Sequence, residues 1–492
     1  MNEDFSFMKG PLFFIIFVIL WYNLDYADGK LCFFGIKSYY ENIWRSFYMT
    51  NLLEGSIPKS ILKFTLPLFL SNLFQLMYST ADAFIVGNWV GSSGLAAVGS
   101  SDSLIFLMIS FFVGLSMGSG VVCARYFGQN DMENLRKAIG TTLAVAFITG
   151  IIHTFVGVIF APEILRLMDT PSNVLPESIA YFRALFSGGL AMVMFNMTSG
   201  ILQSLGDSKT PMKFLLLSSV LNIILDCIFI IGLGYGVRAA GYATVISQGV
   251  SALLSLRVIF KSRESWRPSA SDLMLDRQMA AKILKQGIPS GVQMSVISLA
   301  NVFVQASING FGASAMAGCG ANYKIQGFAF LPINCFTMTI STFVSQNLGA
   351  GRKDRVKKGT AFSLAVSISL AEIMGIIIYV FAGDMVSLFS QDARVIGYGV
   401  EYIKITSLFY CLMAYSHCCA SILRGYGRPM IPMAIMLVVW CLIRVSFIVV
   451  MLKFLFNIKV VFWAYPLTWA ISSALFTFFV LSTTRSGREY SI

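Results

Sequence analysis

Two acidic residues lie within long apolar stretches of the chain. Asp82 ends the series Gln75, Tyr78 and Asp82, whose spacing of three and four residues places all three on one face of a helix. Asp226 follows Asn222 by four residues, which gives a second polar pair on one helical face. Because an acidic side chain inside hydrocarbon is costly, these positions are expected to serve a function.

These residues are suited to two kinds of ion chemistry. An apolar environment favours the protonated carboxyl group, so Asp82 or Asp226 could bind and release a proton. Alternatively, two carboxylates with amide, hydroxyl and backbone oxygens form a set of hard ligands for sodium. Ala240 and Thr244, in the following apolar stretch, repeat the spacing of four residues. A third interpretation is structural, with Asn222 and Asp226 joining neighbouring helices by hydrogen bonds.

Other polar residues in apolar stretches have less specific interpretations. Asn196 and Lys324 are candidates for the lining of a cavity, and an interhelical hydrogen bond is the alternative for Asn196. Lys324, Glu372 and Arg444 could instead pair with one another. The sequence contains no HExxH, GxxxxGK[ST] or GxSxG motif, so an enzyme is not expected.

The composition indicates an all-α polytopic membrane protein. Of the 492 residues, 56% are hydrophobic and 12% are charged, and the mean hydropathy is +0.74. Ordinary globular chains carry about 25% charged residues. The net charge of +12 comes from short basic clusters between apolar segments, which indicates membrane orientation and not nucleic-acid binding.

From Ile57 onward, twelve apolar segments are each long enough to cross a bilayer as a helix. Their predicted bounds are 57–88, 93–125, 138–161, 178–203, 212–234, 240–260, 284–311, 314–348, 359–382, 396–423, 429–455 and 458–484. Proline residues predict bends in six of them: Pro67, Pro211, Pro289, Pro332, Pro432 and Pro466.

The distribution of Lys and Arg predicts the orientation. Most basic loop residues lie at one set of span ends, which the positive-inside rule places in the cytoplasm. This side includes the loop 262–283, the loop around Gly351, the C-terminus and the residues just before Ile57. The predicted location is therefore the plasma (inner) membrane, with both ends of the twelve-span core in the cytoplasm.

An internal repeat divides the core into two halves. Gly91, Gly128, Gly206, Pro211 and Met212 recur 221 residues later as Gly312, Gly349, Gly427, Pro432 and Met433. The prediction is an N-lobe (49–261, spans 1–6), a basic linker (262–283) and a C-lobe (284–492, spans 7–12). Such repeats are typical of transporters whose site lies between the halves. Residues 1–48 are left open as an extra span, a surface segment or a start-site artefact.

The motifs along this core resemble those of the multidrug and toxic compound extrusion (MATE) family. The resemblance extends from about Met49 to the C-terminus. It rests on Ile57-Pro58-Lys59, Tyr78 to Gly87 (YSTADAFIVG), Gly94 to Gly99 (GLAAVG), Gly206 to Met212 (GDSKTPM), Ser345 to Gly351 (SQNLGAG) and Leu423 to Pro429 (LRGYGRP). It implies a V-shaped fold of twelve helices in two six-helix lobes.

The DinF-like branch of that family is the most similar, and it implies a coupling site in the first half. The coupling residues implied are Asp82, Asn222, Asp226, Thr244 and the carbonyl of Ala240. Gln75, Tyr78 and Asn196 match neighbouring cavity residues, and Pro67 matches a proline whose bend responds to protonation. The family's other branch couples through acidic residues of the second half, where span 7 here has none and Glu401 lies near one end of span 10.

The implied function is that of a secondary antiporter, which exports organic, cationic amphiphilic compounds in exchange for protons or sodium. The alternative is a flippase-like exporter of a lipid-linked or cell-envelope metabolite, which cavity-facing basic residues such as Lys324 and Arg444 would favour. No cofactor is expected apart from the coupling ion. The expected partners are small organic substrates and membrane lipids, with no nucleic acid, and the protein is expected to be a monomer.

Overall fold

The structure is a computed structural model that describes residues 50–167, 170, 172 and 174–485. Within these ranges the structure describes all side chains except those of residues 92, 93, 95, 96 and 100–104. In this part of the chain the backbone forms helices and short connections without a strand. The alternatives for residues 1–48 lie outside the described residues.

Eleven of the described helices are long and apolar enough to cross a membrane, and a bent pair of helices makes a twelfth span. The first half contains Ile57–Val90, Ile105–Gln129, Met132–Ile159, Leu175–Phe186 with Gly189–Ser204, Lys209–Gly232 and Arg238–Lys261, here numbered spans 1–6. The second half contains Arg277–Asn309, Ala313–Gly349, Lys353–Val380, Ala393–Gly425, Met430–Phe454 and Lys459–Arg485, spans 7–12. The prediction of an all-α protein with twelve spans is confirmed.

Several helices begin before the predicted apolar segments because they include charged residues. The helix of span 3 begins at Met132, and span 7 begins at Arg277, inside the predicted linker. Asp276 caps span 7 by accepting a hydrogen bond from the Met279 amide at 2.7 Å. The connection before it contains a short 3-10 helix, Ala270–Leu273. Two further short helices, Ala161–Leu167 and Ala382–Ser387, follow spans 3 and 9.

The prolines fall into two groups. Four lie inside helices: Pro67, Pro289, Pro332 and Pro466. Pro211 and Pro432 instead lie in the first turn of helices that begin at Lys209 and Met430, so the bends predicted there are wrong. In the first turn a missing N–H leaves no intrahelical bond unmade. A break of 47° separates Phe186 from Gly189 in span 4.

Three spans contain a π-helical segment, in which the chain is wound more widely than in an α-helix. These segments are Val86–Val90 in span 1, Cys227–Gly232 in span 5 and Leu437–Ile443 in span 11. Asp226 immediately precedes the second segment, and Arg444 immediately follows the third. Spans 5 and 11 occupy equivalent places in the two halves, and π-helical turns often accompany functional sites.

The two halves pack together at one end of the spans. We call this the basic end, because it carries the basic connections between spans 2 and 3, 4 and 5, 6 and 7, 8 and 9, and 10 and 11. Glycines of spans 2 and 7 allow the backbones to touch there: a Cβ atom on Gly114 would lie 2.5 Å from the Cα of Gly291. Gln346 of span 8 donates to the carbonyl of Ser204 at 2.6 Å.

The other end of the spans is open between the halves. Of the hydrogen bonds that join the halves in the described residues, one lies farthest from the basic end: the Ser295 hydroxyl donates to the carbonyl of Leu107 at 3.4 Å. Among the described residues, no hydrogen bond joins the halves beyond this one. Val302 of span 7 and Phe328 of span 8 are 45% and 51% exposed there. The halves therefore enclose a cleft that is closed at the basic end and open at the opposite end.

Candidate ion and substrate site

Spans 1, 5 and 6 pack side by side in the first half and bring together the polar residues singled out in the sequence. The Asn222 side chain is 2% exposed, and its amide nitrogen donates to the Thr244 hydroxyl at 3.3 Å. Thr244 in turn donates to the carbonyl of Ala240 at 3.1 Å. These contacts fix the amide of Asn222 so that its oxygen is left to face other groups.

Asp226 is completely buried one turn beyond Asn222. Its carboxyl group interacts with that of Asp82 on span 1. Apart from the contact between the two carboxyl groups, no donor among the described residues bonds to either oxygen of Asp226 or to the side-chain oxygen of Asn222. Buried polar atoms are almost always hydrogen-bonded, so acceptors gathered without donors are suited to a proton or a metal cation. The predicted ion-coupling residues thus lie together, and their coupling role remains a prediction.

Tyr78 connects this cluster to span 6 through a residue that the sequence analysis missed. The Tyr78 hydroxyl is within hydrogen-bonding reach of Gln75 and Gln248 and interacts with Asp82. Gln248 lies four residues after Thr244, so the polar spacing that identified Thr244 continues for one more turn. That spacing was the signal that could have identified Gln248.

One side of span 1 faces the cleft. At the closed end Asn72 donates to the sulfur of Cys335 on span 8 at 3.2 Å. Ser79 lies two turns farther along the same face and is exposed. Asp82 is half-buried at the edge of this face, between the cleft and Asp226. The acidic pair is therefore placed beside the cleft, within reach of a bound compound.

Asn196, predicted as a cavity residue, makes its hydrogen bonds within the first half. Its amide nitrogen donates to the carbonyl of Met192 in the same helix at 2.8 Å. Its own backbone carbonyl accepts a bond from the Ser116 hydroxyl at 2.7 Å. The side chain is half-buried. A role of Asn196 in the cavity stays a prediction, and these bonds give it a structural role as well.

Lys324, Glu372 and Arg444 do not pair with one another, so that interpretation is wrong. No ion pair joins them in the described parts of the chain, because each faces a different surrounding. Lys324 is exposed on span 8. Glu372 accepts a hydrogen bond from the Cys411 amide at 3.3 Å. Glu401, near one end of span 10, pairs with Lys459 at 2.7 Å.

Arg444 is enclosed in the second half, with only 1% of its surface exposed. Its guanidinium carbon lies 4.9 Å from the ring centre of Trp440 and 4.5 Å from that of Tyr465. Nε and Nη2 donate to the Thr468 hydroxyl at 3.0 and 2.8 Å. The aromatic rings stabilise the charge by cation–π contact. Arg444 is therefore a structural cation of the second half and does not line the cleft.

Two carboxyl groups in the loops at the basic end have shifted pKa values. Burial raises the pKa of Asp207, although the carboxylate accepts bonds from the amides of Lys209 and Thr210 at 3.1 and 2.9 Å. Hydrogen bonds from Asn134 lower the pKa of Asp131, which caps span 3. Both residues anchor helix starts beside the closed end of the cleft.

Comparison with known proteins gives the same architecture. The MatE family model matches the chain twice, at residues 67–228 and 289–450, once in each half. The "Probable multidrug resistance protein YoeA" of Bacillus subtilis is 31% identical over 78% of this chain and 84% of that protein. The "Probable multidrug resistance protein NorM" of Thermotoga maritima is 28% identical over 81% and 86%. The "FAD transporter" of Shewanella oneidensis is 25% identical over 77% and 84%.

Solved structures agree with this comparison at the level of the fold. A MOP superfamily transporter from Pyrococcus furiosus superposes with a TM-score of 0.84 at 23% identity, covering 89% of this chain and 98% of that one. An outward-facing multidrug resistance MATE transporter gives 0.83 at 22% identity over 89% and 98%. The doubled family match and the relatives that align along most of their length lead to one conclusion: the chain belongs to the MatE family of membrane transporters.

Proposed function

We propose that the protein is a secondary active antiporter, which exports organic, cationic amphiphilic compounds in exchange for protons or sodium. One observation carries this proposal: the completely buried Asp226 lies against Asp82 at the edge of the cleft and, apart from that contact, has no hydrogen-bond donor among the described residues. Two carboxyl groups at such close quarters favour binding of a positive charge. The first-half position of the pair also supports an assignment to the DinF-like branch.

In the proposed mechanism the ion and the exported compound compete for the same negative charge. A proton or a sodium ion bound by Asp82 and Asp226, with Asn222 and Thr244 as further ligands for sodium, neutralises the edge of the cleft. A bound organic cation then loses its electrostatic attraction and leaves through the open end. Span 1 is proposed to bend in response at Pro67, which lies inside the helix fifteen residues before Asp82.

The orientation of this cycle follows from the basic loops. We propose that the basic end faces the cytoplasm, as the positive-inside rule predicts, so that the cleft opens outward here. The membrane would be the plasma membrane, and the protein would act there as a monomer. Strongly exposed apolar side chains such as Leu253 (68%) and Val380 (66%) support contact with lipid tails.

A second candidate function is the export of a lipid-linked or other anionic metabolite. Lys324 supports it, because an exposed cation in the membrane-spanning region suits a negatively charged compound. One relative carries the name "FAD transporter", and FAD contains negatively charged phosphates. The two candidates differ in the charge of the exported compound and are separable by experiment.

The test is export of ethidium from proteoliposomes under separately imposed proton and sodium gradients. Wild-type protein should export the dye under at least one gradient, and that gradient identifies the coupling ion. Asp82→Asn should abolish gradient-driven export, because it removes one of the two charges at the ion site.

Glu372→Gln is the matched control, since it neutralises a membrane carboxylate outside the cluster and should leave export unchanged. Correctly inserted wild-type protein that moves no ethidium under either gradient would contradict the export of organic cations. Lipid or metabolite export would then become the leading candidate.

A further inference from the structure

Lys324 occupies the face of span 8 that looks across the cleft. At the closed end this face is defined by Cys335, which accepts a hydrogen bond from Asn72 of the first half, and by Thr339, whose hydroxyl lies 2.9 Å from that of Thr65. Lys324 precedes Cys335 by eleven residues (335 − 324), close to three full turns of helix. Its side chain therefore points in the same direction as that of Cys335. At the level of Lys324, however, the two halves are no longer in contact.

The depth of Lys324 in the cleft matches that of Asp82. Spans 1 and 8 are antiparallel. Residues after Asn72 on span 1 and residues before Cys335 on span 8 therefore both lie toward the open end of the cleft. Lys324 lies about 16 Å from that contact along span 8, and Asp82, ten residues after Asn72, lies about 15 Å from it along span 1. The open cleft therefore has a carboxylate pair on one wall and an ammonium group at about the same level on the opposite wall.

The ammonium group of Lys324 has no ionic partner of its own among the described residues, where the ion pairs join other side chains. Lysines in membrane spans normally pair with an acid or face water. Phe328, one turn away on the same face, is 51% exposed and offers an aromatic surface beside the charge. The second-half wall thus combines an unpaired cation with an apolar platform.

We propose that Lys324 binds the negatively charged group of an amphiphile in the cleft, such as a carboxylate or a phosphate, while its ring or chain packs on Phe328. This proposal rests on transport through the cleft and deepens it by naming a substrate class. Compounds that carry both charges would span the cleft from Lys324 to the Asp82 side. Purely cationic compounds would use only the first-half wall.

The test uses two flavins that differ only by a phosphate, riboflavin and riboflavin 5′-phosphate. Their binding to the purified full chain in phosphatidylcholine nanodiscs is followed by flavin fluorescence. Wild-type protein should bind the phosphate form about tenfold more tightly, because a charge-assisted contact is formed. Lys324→Gln should remove this preference without changing riboflavin binding, and Lys324→Arg should keep it.

Lys404→Gln is the control, because this exposed lysine lies over Tyr379 between spans 9 and 10, away from the cleft face. It should keep the full preference for the phosphate. The proposal is overturned if wild-type protein binds the two flavins equally, if Lys324→Gln keeps the preference, or if Lys404→Gln removes it as well.

Two further measurements distinguish a lipid from a soluble compound as the bound anion, and separate this proposal from the proposed antiport. Nanodiscs containing phosphatidylglycerol assign the anionic group to a lipid if they suppress phosphate-flavin binding in the wild type but not in Lys324→Gln. Without suppression, the group belongs to a soluble compound. Ethidium export by the wild type is measured separately under the same gradients. Failure of ethidium export in the wild type would contradict the proposed antiport and leave the Lys324 result independent of it.

Discussion

Replacing Asp226 by Asn tests whether this carboxyl group holds the coupling ion. Asn keeps the shape of the side chain and removes its negative charge. Asp226 is completely buried and, apart from its contact with Asp82, receives no hydrogen bond from the described residues. Without a bound proton or cation, its ionised form is therefore an uncompensated charge in the protein interior.

The size of the effect follows from this burial. An unsatisfied buried group costs about 1–3 kcal/mol, and a charged one costs more. Asp226→Asn should therefore raise the free energy of unfolding by about 2 kcal/mol in the absence of sodium, at a pH high enough to ionise this carboxyl group. As the pH falls, protonation stabilises the wild type, and the difference should shrink; added sodium should do the same if sodium is the ion. Gradient-driven export should fall at least tenfold, because a direct ligand is lost.

Both effects are measured on one preparation. Thermal unfolding is followed by intrinsic fluorescence between pH 6 and pH 11, with and without sodium, and ethidium export is measured in proteoliposomes. Glu372→Gln should change neither result. A role of Asp226 in holding the ion is refuted if Asp226→Asn is less stable than the wild type at the upper end of this pH range, or if it exports ethidium at the wild-type rate.

Three other substitutions test the surrounding structure. Gly114→Ala should speed alkylation of Cys335 about tenfold, because its methyl group prevents closure at the basic end. The rate is measured by mass spectrometry. Gly383→Ala, which places its methyl group in open space, should leave the alkylation rate unchanged. Arg444→Lys should lower the free energy of unfolding by about 2 kcal/mol, because Lys cannot stack between two rings and stays charged. Arg444→Met should lower it less. Equal thermal stability of the two variants would contradict this expectation. Asp131→Ala should cost about 1 kcal/mol at pH 7. Folding lowers the pKa of Asp131 below its ordinary value of 3.8. The difference in stability between the wild type and Asp131→Ala, measured by thermal melts, should therefore disappear as the pH falls below that value.

Helical spacing was enough to predict which polar residues of the first half share a helix face, and the resemblance to the MATE family implied that these faces form one cluster. Asn222 and Asp226 are four residues apart on span 5, and the structure indeed places both beside their predicted neighbours on spans 1 and 6. The same spacing continued to Gln248, which was overlooked. Such predictions work because a helix fixes which side chains share a face before any packing is known.

Contacts between distant helices could not be predicted in this way. Arg444 was expected to pair with a carboxylate, but it is stabilised by Trp440, Tyr465 and Thr468, which its own span and span 12 contribute. Lys324 was predicted to line the cavity; this stays a prediction, and the phase of span 8 relative to Cys335 supports it. These outcomes depend on how helices are rotated against each other, which composition and spacing do not determine.

The glycine contacts between spans 2 and 7 bear on how easily the transporter can switch between its states. Gly114 and Gly291 meet backbone to backbone, and the side chains of Phe111 and Leu115 on span 2 pack against the glycines of span 7. Because the glycines carry no side chains of their own, only their neighbours must repack when these surfaces separate, so the closed and open populations can lie within a few kcal/mol of each other. A single ion with modest differential affinity would then be enough to invert the ratio of the two populations.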